Sequence, residues 1–260
     1  MLKTTVSNGT SYKFPKPLTE GLIKSRPNRF IMFVELENPK TGKKKLEKCH
    51  CPSTGRIGNV IFENIPCLVS EAENPDRKTK YTVEAISLDS PKKKSKKWIG
   101  INQVKMNRYV EYFLKEKQFG KMIPNGEETK RERKLGNSRI DFQAEKNFIE
   151  VKMLLIHLPS RFDKLEKIRP QSKFNSFDRL IKHFGELGKE AKKNKSKAII
   201  LTCYQYDAKP FQRPKKDGSN SKILKAAKES TKNGVESWQA NFKIDKKGIE
   251  LIDYFKLKLF

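Results

Sequence analysis

The sequence predicts an α+β protein of two domains, a small turn-rich β-barrel followed by a mixed sheet flanked by helices. Three observations carry this. Residues 22–102 read as short apolar runs separated by Gly-, Pro- and Asn-rich turns. From residue 103 the pattern changes to helical apolar stripes alternating with apolar strands. The chain also carries 57 Lys plus Arg against 30 Asp plus Glu, a net +27, and among small barrels a strongly basic surface favours the OB type, which binds polyanions. The apolar fraction is 35% and mean hydropathy is −0.77, values that invite a disordered reading. Apolar residues that stay in phase along most of the chain argue against disorder.

Residues 1–21 show no period and are expected to form a loose lead-in. The barrel strands follow: "RFIMFVEL", "KLEKCHC", "CLVSEA", "YTVEAISL" and "KKWIGI", with turns such as "NPKTGKK", "PSTGRIG" and "NPDRK" between them. In "QVKMNRYVEYFLKEKQF", Met106, Tyr109, Val110, Phe113 and Leu114 fall on one helical stripe, so a helix opens the second domain, 103–260. A short strand is expected near Thr129–Lys134, then a strand pair over 138–144 and 148–156. A basic helix, "FDRLIKHFGELGKEAKKN", comes next. It is followed by a strand, "KAIILTCYQY", a helix, "SKILKAAKESTKNG", and a strand, "VESWQANFKI". Helices alternating with apolar strands imply a sheet covered on both faces.

The strand pair "NSRIDFQAEKNFIEVK" holds the candidate chemistry. By alternation Ile140 and Phe142 face one side with Ile149 and Val151, while Arg139, Asp141 and Gln143 share the other with Phe148, Glu150 and Lys152. A turn centred on Glu145–Lys146 sets Asp141 opposite Glu150, with Cβ atoms about 4.5–5.5 Å apart. Two carboxylates that close repel, and a hard divalent cation neutralises them while keeping several waters. Such an ion, Mg²⁺ or Mn²⁺, acidifies a water and stabilises charge on a phosphoryl oxygen. Lys152 is placed to orient the attacking water or to meet the pentavalent phosphorane. The plainer alternative is a solvated face on which these carboxylates pair with Arg139 and Lys152.

The element order and the Asp-x₈-Glu-x-Lys spacing resemble the PD-(D/E)XK nuclease superfamily. More closely, "RPNRF", "CHCPSTG", "NPDRKTKYTVE", "WIGIN", the helix-opening "NR" at 107–108, "SRIDF", "IEVK" and "KHFGEL" fall in the order found in the sugar fermentation stimulation protein (SfsA) family. The resemblance implies an N-terminal OB-like domain, a C-terminal PD-(D/E)XK nuclease-type domain and nucleic-acid binding. It puts the catalytic core at Asp141, Glu150 and Lys152, and the metal positions at Asp141, Glu150 and Val151. Glu132 aligns with an acidic residue before a family glycine, where an extra acidic group and a strand-edge charge are both open readings. After "EVK" the chain departs from the family pattern: Arg179, Lys182 and His183 are kept, with Phe174 and Leu180 in place of the expected Asp and Gly. Lys182 and His183 are further site candidates.

On the barrel, Arg26, Arg29, Arg56, Arg77 and Lys78 are candidate phosphate contacts, joined by Arg139 beside the carboxylates; Thr54 of the "PSTG" turn is another. Trp98 and Phe30 are candidates to stack on bases, or core residues. Cys49, His50 and Cys51, with only Cys67 and a distant Cys203, do not make a zinc set. His157 carries no signal. No apolar stretch approaches the roughly 20 residues that span a bilayer. The start lacks the apolar core of a signal peptide, so a cytoplasmic location with reduced thiols is expected. The expected function is a metal-dependent nuclease acting on DNA or RNA, with no membrane partner. The rival expectation is a non-catalytic DNA-binding or regulatory protein that retains the nuclease fold.

Overall fold

A computed structural model of the chain describes residues 3–6, 9–53, 55–124, 126, 128–155, 158, 178–193, 196–213 and 220–260. In chain order the elements are β1 (Thr4–Thr5), β2 (Ser11–Lys13), β3 (Thr19–Asn28), β4 (Ile31–Glu37), β5 (Lys44–His50), β6 (Ile65–Glu71), β7 (Tyr81–Ile86), β8 (Ile99–Gly100), α1 (Gln103–Lys115), β9 (Thr129–Leu135), β10 (Ser138–Ala144), β11 (Asn147–Met153), α2 (Asp178–Lys192), β12 (Ala198–Tyr204), α3 (Ser221–Lys232), β13 (Glu236–Ile244) and β14 (Gly248–Lys256).

Strands β3 to β8 form one sheet in the order β5-β4-β3-β6-β7-β8. It closes on itself through a parallel pairing of β5 with β7, Cys49 against Tyr81 and His50 against Thr82. An antiparallel sheet in which β6 returns beside β3, closed in this way, is the expected OB-like Greek-key barrel. The alternation that predicted β4 is visible as Met32, Val34 and Leu36 turned inward.

The second sheet runs β1-β14-β13-β12-β11-β10-β9, with β2 also on β14. Strands β11, β12 and β13 are parallel, and every residue of β12 is buried, as a central strand covered on both faces requires. The expected α1 stripe, Met106, Tyr109, Val110, Phe113 and Leu114, packs on one face against Phe142, Ile149, Val151 and Leu201. Helix α2 covers the other face, where Leu187 and Ala191 meet Ile140, Ala198 and Ile200.

Two expectations need correction. Residues 1–21 are expected to form a loose lead-in, but their described part is paired: Thr4 and Thr5 with Tyr254 and Asp253, residues 11–13 with 248–250, and β3 already begins at Thr19. The strand that receives them, β14, was not expected either. Asp245 accepts the backbone N–H groups of Lys247 and Gly248 and so makes a hairpin turn from β13 into β14.

The barrel docks tightly on the second sheet. Leu155, Tyr204, Tyr206 and Ala208 complete the barrel's own core. The buried Glu84 of β7 accepts from Lys105 Nζ (2.6 Å) and Asn102 Nδ2 (2.8 Å), and Asn102 in turn caps α1 by accepting from the Lys105 N–H. Among the described residues no helix is long and apolar enough to cross a membrane.

Candidate active site

The hairpin of β10 and β11 turns at Glu145–Lys146, with Glu145 in the left-handed region at φ 52°. Its register is Phe142 to Ile149, Gln143 to Phe148 and Ala144 to Asn147, as the alternation required. The next pair in this register is Asp141 with Glu150, and there the structure departs from an ideal ladder. Ile140 and Phe142 are two residues apart yet lie in different cores, Ile140 under α2 and Phe142 under α1. The expected four-residue apolar face is therefore split, and Ala144 takes the place of Ile140 beside Phe142. The change of face coincides with a kink in β9. Glu132 sits at φ 51°, and the β9–β10 ladder pairs Ile140 with Arg133 and Phe142 with Arg131, skipping the residues between them.

At this break the side chains replace backbone pairing. Asp141 Oδ2 accepts the backbone N–H of Val151 at 2.8 Å, and its Oδ1 accepts Asn107 Nδ2 of α1 at 2.8 Å. Glu150 is 1% exposed. Its Oε1 accepts from Lys152 Nζ, and His183 Nδ1 of α2 lies 2.5 Å away. With the carboxylate ionised, that nitrogen is the donor. Glu150 Oε2 is buried without a hydrogen-bond partner among the described residues. The second turns of α1 and α2 thus each fix one carboxylate.

The two acids differ in charge preference. Burial, and then the Glu150 charge, push Asp141 above the usual aspartate range, against the Val151 N–H, Lys152 and Asn107. Burial also raises Glu150, but His183 and Lys152 outweigh it and hold the group below the usual glutamate range. Cys203, fully buried on β12, is held well above the usual thiol range by burial and then by Asp141.

The donor set suits a hard cation. Glu150 Oε2 accepts no hydrogen bond from the described residues, and each Asp141 oxygen keeps a free lone pair after one hydrogen bond. Val151 offers only its backbone carbonyl. Among the described residues no cluster of three or more His, Cys, Asp or Glu side chains is arranged to hold a metal. Two carboxylates with a carbonyl and waters fit Mg²⁺, which seldom sits in an all-protein cage.

The other candidates separate. Glu132 is exposed and ion-paired with the equally exposed Arg139 at 3.1 Å. Lys182 is exposed on α2, one residue from His183. On the barrel, Arg29 stacks over the exposed Phe30 at 4.9 Å in the β3–β4 turn, and Arg77 and Lys78 lie in the β6–β7 loop. These are the loops with which OB barrels hold oligonucleotides. Arg26 donates to the carbonyls of Ser53 (2.8 Å) and Gly55 (3.2 Å), and Arg56 to that of Gly58 (2.9 Å), so both shape the loop after β5. Trp98 is half-buried. Thr54, His157 and Phe174 lie outside the described residues. Nothing in the sequence marks Asn107 for this role, because its contact with Asp141 exists only in the fold.

Two family models match the sequence. One, described as "SfsA N-terminal OB domain", covers residues 25–101, and the other, "Sugar fermentation stimulation protein RE domain", covers 104–248. The chain belongs to the sugar fermentation stimulation protein family. A homolog of that name from Clostridium novyi (strain NT) is 30% identical over 246 residues, 93% of this chain and 97% of that protein. One from Clostridium acetobutylicum is 30% identical over 234 residues, 90% and 94% of the two chains. One from Synechococcus sp. (strain JA-2-3B'a(2-13)) is 35% identical over 145 residues, and this match spans 54% of the chain and 56% of the relative. Among solved structures, "The structure of Pyrococcus Furiosus SfsA in complex with Ca2+" superposes with a TM-score of 0.66 at 20% identity, covering 99% of both chains, and so shares the fold.

Proposed function

We propose that this family member is a metal-dependent nuclease that hydrolyses phosphodiester bonds of DNA or RNA, using Mg²⁺ or Mn²⁺ at Asp141, Glu150 and Val151. The observation that carries the reading is the buried, unpartnered Glu150 Oε2 beside a second carboxylate in a chain of net +27. Buried polar atoms in folded proteins nearly always have a partner, and an exception beside a second carboxylate is a place for a water or an ion. The Ca²⁺ named for the Pyrococcus relative supports a divalent ion in this fold.

A bound Mg²⁺ would polarise a phosphoryl oxygen and acidify a water. The chain's own residues supply the rest. His183 and Lys152 hold Glu150 Oε1, which leaves Oε2 presented. Asn107 and the Val151 N–H fix Asp141 in the same way. Lys152 carries the ammonium that orients the attacking water or faces charge building on the phosphate. In this reading residues 22–102 bind the strand through Arg29, Arg77 and Lys78, with Arg26 and Arg56 shaping the loop beside them. Residues 103–260 carry the chemistry. Phosphate contacts of this kind position a nucleic acid without reading its sequence.

The test is purified protein on labelled single- and double-stranded DNA and RNA with Mg²⁺, Mn²⁺ or EDTA, alongside Asp141→Asn. Cleavage that needs metal and disappears in the variant is the expected result. Salt-sensitive binding without cleavage under any metal would instead make this a non-catalytic DNA-binding protein.

A further inference from the structure

Where the barrel meets the far edge of the second sheet, a cleft of about 930 Å³ opens between the β7–β8 connection and the β13–β14 turn. None of its lining residues belongs to the arginine set of the barrel or to the Asp141–Glu150 site. Its sheet residues lie on β13 and β14, two to three strands along from β11, on the order of 10–14 Å at about 4.8 Å per strand. Six lysines line it against three acids. One acid, Glu20, is already neutralised by two of those lysines, Lys96 and Lys246, each at 2.8 Å. Another, Asp245, spends Oδ1 on the backbone of its own turn. Lys94, Lys97, Lys243 and Lys247 remain, exposed and in no ion pair among the described residues, against one further acid, the exposed Asp207.

Between these cations stands Trp98, half-buried, its outer part lining the cleft and its inner part packed on the α1-side core. Its indole N–H has no acceptor among the described residues, whereas that of Trp238, the second tryptophan of the chain, donates to Glu236 at 2.8 Å. Unpaired lysines flanking a supported aromatic side chain match the two needs of a single strand, phosphate neutralisation and a stacking platform. The volume lies at the upper end of the ligand-cleft range of about 300–1,000 Å³, well beyond what one inorganic anion fills.

We propose that this cleft is a second nucleic-acid subsite. It takes a single-stranded segment with its phosphates on Lys94, Lys97, Lys243 and Lys247 and a base against Trp98. The proposal rests on the reading of the protein as a nucleic-acid enzyme and adds to it a track outside both the barrel loops and the carboxylate site.

The experiment uses the full chain in EDTA. Binding of a fluorescein-labelled octathymidylate is followed by anisotropy, and quenching of the protein's own tryptophan emission by the unlabelled oligonucleotide is measured in parallel. Saturable quenching that is lost in Trp98→Phe is expected. If that variant does not fold, quenching that persists in Trp238→Phe reports the same. Lys243→Glu with Lys247→Glu, two exposed positions, should weaken binding by about tenfold or more at low salt and remove the quenching. Arg29→Glu with Arg77→Glu should weaken binding but keep the full quenching at saturation. Tight binding with no quenching, or no binding at all, overturns the subsite, whereas the nuclease reading is overturned only if metal-dependent cleavage is missing as well. Equal quenching by inorganic tripolyphosphate shows a phosphate site without base stacking and overturns the assignment to a single strand.

Discussion

Removing the charge of Asp141 or of Glu150 should move stability in opposite directions, although the two residues look equivalent in the sequence. In metal-free protein near neutral pH, Glu150 is a buried acceptor for His183 and Lys152. A hydrogen bond to a charged group contributes about 1.5–3 kcal/mol, and Glu150→Gln keeps the shape while losing the charge. Lys152 is 30% exposed on its side chain, so part of its loss is recovered by water. A net cost of about 2 kcal/mol follows, or roughly 4–8 °C in Tm for a chain of this size. Asp141→Asn instead removes a charge that burial and Glu150 both disfavour. Its side-chain carbonyl still accepts the Val151 N–H and its amide can face a flipped Asn107, so Tm should hold or rise by a few degrees. The signs under pH follow. The folded-state pKa of Asp141 is raised, so the stability it lends the wild type is present below about 3.8 and lost as pH rises through the raised value; the advantage of Asp141→Asn should vanish in acid. The folded-state pKa of Glu150 is depressed, so its contribution is present above about 4.5 and lost as pH falls through the lowered value. Thermal unfolding of wild type and both variants in chelator, at neutral and acid pH, measures all of this. Stabilisation by both variants, or equal losses, would refute the division of roles between the two acids.

Lys152→Ala should abolish cleavage yet leave Mg²⁺ affinity within about twofold by calorimetric titration, because an ammonium is not a ligand. Gly136→Ala should destabilise by at least about 1–2 kcal/mol from its left-handed φ of 55° alone. A Cβ there would also stand 1.9 Å from Glu186 Oε2, so adding Glu186→Ala should recover the steric part of the loss and leave the backbone part. Cys49, Cys51, Cys67 and Cys203 are all buried, and burial pushes the Cys49 thiol up to about 12. An aromatic disulfide reagent should therefore titrate none of them in native protein and all four after denaturation. Rapid native labelling of any one would show that its wall opens.

Much of this architecture was legible because it is local. The α1 stripe needs only a period of 3.6, and the β10–β11 register needs only a turn and alternation. The break at Asp141 was not legible, since alternation assumes an unbroken ladder and the kink lies in the neighbouring strand at Glu132. The grip of His183 on Glu150 and of Asn107 on Asp141 joins residues 33 and 34 positions apart. Helical spacing marks His183 as inward-facing but cannot say what it meets. The strand β14 was within reach: "DKKG" is a turn signal, and "IELIDYF" after it has strand composition. Strands β1 and β2 were not, because two- and three-residue strands carry no period and owe their existence to the edge they cover.

That pairing of Thr4 with Tyr254 makes the barrel an insertion between the opening strands of the second sheet and the rest of it. During synthesis the barrel strands meet their partners early, whereas the first strands must wait for a hairpin 250 positions downstream. The sheet edge at β14 is therefore covered by strands made long before it. A chain stalled before residue 248 would hold a finished OB barrel joined to an unsealed sheet, with the Asp141–Glu150 pair already synthesised. Closure of that edge thus comes after the barrel and the Asp141–Glu150 hairpin, by the order of these elements along the chain.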